Sequence, residues 1–284
     1  MQFHTPDTFE EASRLLAAET GTARVLAGGT DVLVQLRSDI VVPDTLVDIK
    51  RIEGVKEIVG ENGGWRIGAA VSGAELSEHR QVKAEWPGIV EALDLVGSTQ
   101  IQGRCTLTGN LCNASPAADS VPAMIAAGAT VSITGPNGTR EAKVEDIPVS
   151  PGKTSLSPGE IVSSVFLPAR GANGGDAYLR FIPRTEMDIA VVGASVSMNV
   201  EGGKVASARV ALGAVAPTAL LVEDAAAAII GTSLDDDAMA KLAAAASAAC
   251  NPISDKRGTI EFRTRVAGVL ARRAAKIAYE RATS

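Results

Sequence analysis

Apolar residues along the first half of the chain repeat with the spacing of short helices and short strands. Thr8 and Glu11 form a capping-box pattern before Ala12, Leu15 and Leu16, which predicts an early helix. The segment ARVLAGGTDVLVQLR predicts a strand, a Gly-Gly turn and a helix that Thr30 or Asp31 would cap. Two alternating segments with the turn sequences Asn-Gly and Pro-Asn-Gly, at 57–71 and 129–144, predict β-hairpins.

The pattern changes after the stretch GANGG at 171–175. Before it, DSVPAMIAAGA predicts a helix begun by Asp119 or Ser120, and GEIVSSVFLP predicts a strand. After it come three predicted strands, AYLRFIP, AVVGASVSM and KVASARVALGAV, and then Ala-rich helices from Pro217 onward. This mixed order predicts the α+β class, with one domain at 1–173 and a second at 177–284.

Composition and charge exclude several classes of protein. The net charge is −6, and no basic stripe is present, which argues against a nucleic-acid partner. One basic cluster fits either the solvated face of a C-terminal helix or a docking surface, and it comprises Arg263, Arg265, Arg272, Arg273 and Lys276. No run approaches about 18 apolar residues, so no membrane span is predicted, and the first residues lack an apolar signal core. We therefore expect a cytoplasmic protein.

Cysteine and histidine usage argues against a metal site and against common catalytic sets. The three cysteines form no CxxC pair, which argues against a zinc or iron–sulfur site in this chain, and their odd number suits a reducing compartment. His4 and His79 lie near no other candidate ligand and no serine nucleophile pattern. No catalytic residue is predicted.

Two known phosphate-binding motifs do not match. Gly28-Gly29 has the strand–turn–helix context of a dinucleotide fingerprint but lacks its spacing. Gly152-Lys153-Thr154 resembles the end of a Walker loop, but Ile147 stands where the first glycine is needed. We reject both interpretations.

Two small-residue segments remain, AGGTD at 27–31 and TLTGNLCNASPAAD at 106–119. Each alone could be a tight turn. A strand that ends at Gly-Gly before a helix leaves backbone N–H groups without partners, and glycine lets an anionic group approach them. Thr30, Thr106, Asn110, Asn113 and Ser115 add neutral donors, which suits a buried pyrophosphate. Asp119 can accept from ribose hydroxyls or cap the following helix, and both roles stay open.

These two segments together resemble the FAD-binding medium subunits of molybdenum hydroxylases, a family that includes the carbon monoxide dehydrogenase medium subunit and the flavin domain of xanthine dehydrogenase. The resemblance continues in GEIVSSVFLP and in RFIPRTEMDIAVVGASV, so it spans most of the chain in the same order. It implies a vanillyl-alcohol-oxidase-type FAD-binding fold of two α+β subdomains, divided near 55–60, followed by a C-terminal domain of a small sheet and helices.

The resemblance also implies which residues bind FAD. The first pyrophosphate loop would be Ala27, Gly28, Gly29, Thr30 and Asp31, with Val32 beside it. The second loop would be Thr106, Gly109, Asn110, Asn113 and Ser115. Asp119 matches the ribose-binding aspartate, Ile161 and Val162 match apolar positions near the adenine, and Arg180 stands where lysine is common near the flavin.

The chain departs from the family pattern in the second loop. In this loop the sequence typical of the family is closer to IRNxGTIGGN, whereas this chain has IQGRCTLTGN. Thr108 therefore replaces a glycine and carries a Cβ where the backbone could need unusual angles, so we expect FAD to bind differently or more weakly. Arg180 in place of lysine replaces a compact ammonium group by a planar guanidinium group with several N–H donors.

The implied activity is an electron relay with non-covalent FAD. Molybdopterin and [2Fe–2S] would lie only in partner chains, a large molybdenum subunit and a small iron–sulfur subunit, in a dimer of heterotrimers. Electrons would pass from the iron–sulfur subunit to this FAD and then to an external acceptor, and the chemistry belongs to the cofactor. Two alternatives stay open: a stand-alone FAD-dependent oxidoreductase and a flavin-free scaffold.

Overall fold

The computed structural model describes residues 1–284 and confirms the predicted α+β class. The strands are β1 (Gln2–His4), β2 (Ala23–Leu26), β3 (Thr45–Asp48), β4 (Ile58–Glu61), β5 (Gly64–Gly68), β6 (Thr130–Gly135), β7 (Gly138–Lys143), β8 (Pro148–Ser150), β9 (Lys153–Thr154), β10 (Ile161–Leu167), β11 (Gly174–Phe181), β12 (Val192–Glu201), β13 (Lys204–Gly213) and β14 (Leu220–Leu221). The helices are α1 (Phe9–Ala18), α2 (Val32–Arg37), α3 (Gly73–Glu78), α4 (Arg80–Glu85), α5 (Pro87–Asp94), α6 (Thr99–Gln102), α7 (Leu107–Cys112), α8 (Ser120–Ala127), α9 (Glu223–Ala227), α10 (Asp236–Ala248) and α11 (Ile260–Ala282).

The strands form four sheets. A parallel sheet has the order β1-β3-β2, and a five-stranded antiparallel sheet has the order β4-β5-β10-β6-β7. A four-stranded antiparallel sheet runs β11-β12-β13-β14, and β8 pairs with β9. Strands β10 and β11 are neighbours in sequence but belong to different sheets, so the chain changes sheet at the glycine-rich segment near residue 171.

Local sequence signals explain most element boundaries. The Thr8 side chain accepts from the N–H of Glu11 at the start of α1, and the Glu11 carboxylate accepts from the N–H of Asp7 rather than Thr8. The predicted turn between β4 and β5 is confirmed, because Asn62 and Gly63 both have positive φ, as a type I′ turn requires. The predicted 129–144 hairpin and the three C-terminal strands are also confirmed.

Three apolar cores hold these layers together. A small core around Val47 and Ile49 lies beneath the parallel sheet, and a second surrounds α8, all of whose residues are buried. The third lies between α11 and the four-stranded sheet, where alanines line the helix. Alanine and glycine allow a close contact here, since a Cβ on Gly175 would lie only 1.8 Å from the Ala278 carbonyl oxygen.

Buried polar contacts join α5 to β11. Arg170 Nη1 donates to Asp176 Oδ1 over 2.8 Å, and the N–H of Gly88 donates to Asp176 Oδ2 over 2.9 Å. The Arg170 guanidinium also lies over the Trp86 ring, 4.7 Å from its centre. Because the Asp176 side chain is 5% exposed, this carboxylate depends on both donors for its solvation.

The predicted basic cluster divides into two kinds of residue. Arg263 is buried and donates to the carbonyls of Val191 and Ala214 and to Asp255, so it is structural and belongs neither to a solvated face nor to a docking surface. The remaining four members are exposed and make no ion pair within the chain. No helix combines the length and apolar character needed to cross a bilayer.

The Asp176→Ala substitution should lower the free energy of unfolding by about 3–5 kcal/mol, because it leaves a buried guanidinium without its partner. Urea unfolding at neutral pH measures this loss. The matched control is Asp237→Ala, which removes an exposed pair with Lys241 and should cost less than about 1 kcal/mol. Equal effects of the two substitutions would contradict the structural role assigned to Asp176.

Candidate functional site

The two glycine-rich segments lie against each other. A Cβ placed on Gly28 would lie 1.9 Å from the carbonyl oxygen of Arg104 and 3.2 Å from the Cα of Cys105. Only glycine permits this contact, so the first segment abuts the backbone that leads into the second. Gly29 follows with φ of +80°, a left-handed conformation that turns the chain from β2 into α2.

A cavity of about 950 Å³ opens where the two segments meet. All but three of the predicted site residues line it: Ala27, Gly28, Gly29, Thr30, Asp31, Val32, Thr106, Gly109, Asn110, Asn113, Ile161 and Val162. The exceptions are Ser115, Asp119 and Arg180. The cavity extends past residues 19–25 and 156–160, which sequence reasoning did not assign to the site.

Several backbone N–H groups in the two segments have no acceptor within the chain. The N–H groups of Gly29, Thr30 and Asp31, just before α2, have no hydrogen-bond partner. The same holds for Leu107 and Thr108 in the first turn of α7. Both segments therefore present free N–H groups close to the cavity, as an anion-binding surface requires.

The second segment is partly helical, which sequence reasoning missed. Thr106 caps α7, and its Oγ1 accepts from the N–H of Gly109 over 2.9 Å. Thr108 lies inside this helix without a positive φ, so the predicted backbone strain at Thr108 is absent. Its hydroxyl donates to the Ala69 carbonyl over 2.7 Å, which attaches α7 to the chain segment after β5.

A short polar chain joins the two segments across the cavity. Asn113 Nδ2 donates to Asp31 Oδ1 over 3.2 Å, and Gln35 Nε2 donates to Asn113 Oδ1 over 3.2 Å. An ionised carboxylate only accepts, so Asp31 dictates the orientation of both amides. Gln35 was not predicted, although its position one helical turn after Asp31 is a usable signal.

Two other predicted polar residues have local partners. Asn110 Oδ1 accepts from the N–H and the hydroxyl of Ser120, which leaves Asn110 Nδ2 without an acceptor in the chain. Ser115 Oγ accepts from the N–H of Ala117 over 3.3 Å. Asn110 thus supplies a free donor to the cavity, whereas Ser115 shapes the turn before α8.

Asp119 is held by the C-terminal sheet. The Tyr178 hydroxyl donates to Asp119 Oδ1 over 2.8 Å, and Arg180 Nη1 donates to Oδ2 over 2.7 Å. Asp119 precedes α8 but its side chain makes no cap hydrogen bond, so the helix-cap hypothesis is wrong. Burial raises the pKa of Asp119 to about 6, against the opposing effects of Arg180 and Tyr178.

The cavity holds few charges. Arg24 is its single cationic residue, Glu160 pairs with Arg140, and Glu19 accepts from the Thr45 hydroxyl. Burial raises the pKa of the Cys105 thiol to about 11 and that of Cys112 to about 12, so both are neutral at physiological pH. No group of three or more His, Cys, Asp or Glu residues is placed to hold a metal ion.

A cavity of this size, bordered by free backbone N–H groups and neutral side-chain donors, suits a phosphate-bearing organic molecule. Residues 1–170 match the family model for the FAD binding domain in molybdopterin dehydrogenase. Residues 177–278 match the model for the CO dehydrogenase flavoprotein C-terminal domain. The chain belongs to this family of FAD-binding subunits of molybdenum hydroxylases, as the sequence predicted.

Named relatives are similar in sequence or structure to most or nearly all of this chain. The carbon monoxide dehydrogenase medium chain of Afipia carboxidovorans is 34% identical over 280 residues, covering 99% of this chain and 97% of that protein. The xanthine dehydrogenase FAD-binding subunit of Escherichia coli O157:H7 is 32% identical over 225 residues, covering 78% and 77%. Carbon monoxide dehydrogenase from Hydrogenophaga pseudoflava superposes with a TM-score of 0.95 at 33% identity, over 99% of this chain and 98% of that one.

The residues present fit FAD. The free N–H groups of the two segments match an anionic pyrophosphate, and the apolar residues Ile161 and Val162, which also line the cavity, match an aromatic base. Beyond the cavity, Arg180 Nε is buried without any acceptor, although Nη1 is paired.

Gly28→Ala should weaken FAD binding by at least about tenfold and destabilise the fold by about 1–3 kcal/mol, because the new Cβ separates the two segments. Flavin fluorescence titration and urea unfolding measure the two effects. Gly103→Ala is the control, since its Cβ would lie 3.6 Å from the Gln100 carbonyl oxygen, an ordinary contact. Unchanged affinity in Gly28→Ala would show that the contact is not needed for binding.

Proposed function

We propose that this chain holds one non-covalent FAD and relays electrons from a [2Fe–2S] subunit to an external acceptor. The observation that carries this proposal is the pair of adjoining segments with unpaired backbone N–H groups, in a chain related along its length to dehydrogenase FAD subunits. When bound, FAD supplies the redox chemistry. The chain's own residues bind it, orient it and exclude water.

The residue roles follow the geometry of the cavity. The N–H groups of Gly29, Thr30 and Asp31 would bind one phosphate, and those around Thr106 would bind the other. Asn110 Nδ2 adds a neutral donor. Neutral donors and helix termini carry no full positive charge, so they would bind the pyrophosphate without neutralising its negative charge.

Asp119 and Arg180 lie apart from this cavity, and we assign them to the sugar chain and the flavin. Asp119 has lone pairs left after accepting from Tyr178 and Arg180, and these suit hydroxyl groups. Arg180 has a free Nε donor. The C-terminal domain would thereby complete the cofactor site.

Non-covalent attachment is supported by the groups around the cavity. No histidine lines it, and the thiols of Cys105 and Cys112 have raised pKa values, which suppresses the reactive thiolate. We also propose the division into domains at 1–173 and 177–284, with two subdomains in the first. Separate sheets support this division, and one of the three cores lies wholly within 177–284.

The partners we propose are a large molybdenum subunit and a small iron–sulfur subunit, arranged as a dimer of heterotrimers in the cytoplasm. The relatives named above are chains of multi-subunit dehydrogenases. The three free cysteines agree with a reducing compartment. A stand-alone oxidoreductase fits less well, because this chain matches a carbon monoxide dehydrogenase medium chain over 99% of its own length and 97% of that protein's length.

The purified full chain should bind one FAD, and FMN at least about tenfold more weakly, because FMN lacks the second phosphate and the adenosine. Flavin fluorescence and isothermal titration measure both affinities. Acid precipitation should release the flavin into the supernatant. Equal affinity for FMN would contradict the pyrophosphate role, and yellow precipitated protein would contradict non-covalent binding.

Affinity purification of the tagged chain from its native cells should recover two further chains, one with bound molybdenum and one with iron and sulfide. Native mass spectrometry and metal analysis of the purified assembly test this. A chain that purifies alone, with FAD and its own substrate-dependent flavin reduction, would favour the stand-alone oxidoreductase. A chain without FAD affinity would favour the flavin-free scaffold.

A further inference from the structure

A buried cluster joins Asp119 to two residues of β11. Asp119 is 7% exposed, Tyr178 is 2% exposed, and the Arg180 side chain is 4% exposed. Tyr178 and Arg180 alternate on β11, so their side chains project from the same face of the sheet toward the start of α8. Each side chain donates a hydrogen bond to a different oxygen of the Asp119 carboxylate.

This arrangement fixes the carboxylate more firmly than one partner could. Arg180 alone would let the group rotate about its side-chain torsion, whereas a second donor on Oδ1 fixes its plane. An ionised carboxylate has about four acceptor positions, and the chain fills two of them. The chain supplies no donor to the other two positions.

A second observation points to a ligand beside this cluster. Arg180 Nε is buried and has no acceptor. A buried donor without a protein partner is completed by an ordered water or by a bound group. Together with the acceptor positions of Asp119 that the chain leaves open, this donor is compatible with a molecule bearing hydroxyl groups.

We propose that Tyr178 is a positioning residue for Asp119, holding its carboxylate ionised and oriented to accept hydrogen bonds from the hydroxyls of a sugar or sugar alcohol on FAD. This inference rests on the proposed function. It assigns to Tyr178, from the C-terminal domain, a role in cofactor binding without direct contact with the cofactor.

Two ionisable groups act on Asp119, and both lie on β11: Tyr178 and Arg180. From α5, Glu91 faces the backbone N–H of Tyr178 and not its ring. With a pKa of about 6, Asp119 is ionised above that value and protonated below it. A protonated carboxyl loses acceptor capacity, so FAD affinity should fall as the pH decreases through about 6.

The test measures FAD affinity of the full chain from pH 5 to pH 8 by flavin fluorescence. In Tyr178→Phe, the ionised carboxylate loses one hydrogen bond, so the midpoint of the affinity change should rise by about one pH unit. Asp119→Asn should remove the pH step. Tyr279→Phe is the matched control, because the only other tyrosine donates to the Gly203 carbonyl and should leave the midpoint unchanged.

If Tyr178→Phe does not fold, 3-fluorotyrosine can replace tyrosine in the Tyr279→Phe variant, where Tyr178 is the one remaining tyrosine. The fluorinated phenol is a stronger donor of nearly the same size, so the midpoint should move downward. A destabilised Tyr178→Phe with an unchanged midpoint would reduce Tyr178 to a structural residue and overturn the inference. If the unaltered chain binds FAD with an affinity that does not change with pH, the inference about Tyr178 is overturned and the proposed function stands. If the unaltered chain does not bind FAD, both the inference and the proposed function are overturned.

Discussion

The close contact between Gly28 and the Arg104 carbonyl is the constraint on which the cofactor site depends. No side chain can occupy position 28, because its Cβ would lie 1.9 Å from that oxygen. The contact brings the end of β2 against the backbone that leads into α7. Two sets of unpaired N–H groups then border one cavity. The proposed anion site is therefore built from backbone, without lysine or arginine side chains.

The electrostatics of the site follow from this backbone design. Arg24 is the single cation along the cavity. Asp31 accepts a hydrogen bond from Asn113, whose own amide oxygen accepts from Gln35. The strong charge pair lies elsewhere, at Asp119 and Arg180, where α8 meets β11. In the proposed site, one part would bind phosphate with neutral donors, and another would orient hydrogen-bonding groups through a buried ion pair. The second part includes Arg180 of the C-terminal sheet.

Much of the fold was predictable from local signals, and part of the site was not. Asn62-Gly63 specified one hairpin, and Gly28-Gly29 marked the first loop because strand and helix patterns flank it. Helix α7 was missed, since its small polar residues and Gly109 resemble a turn. The partner of Asp119 lies 61 residues away on β11, a pairing set by tertiary packing. Thr108 departs from the family pattern, but its hydroxyl reaches the Ala69 carbonyl and stabilises the loop.

A crystal structure of the chain in complex with FAD tests the central claim most directly. The account predicts pyrophosphate oxygens within about 2.7–3.2 Å of the N–H groups at Gly29–Asp31 and at Leu107 and Thr108. It also predicts a sugar hydroxyl against Asp119. A pyrophosphate bound away from these groups, or held mainly by lysine and arginine side chains, would contradict the account.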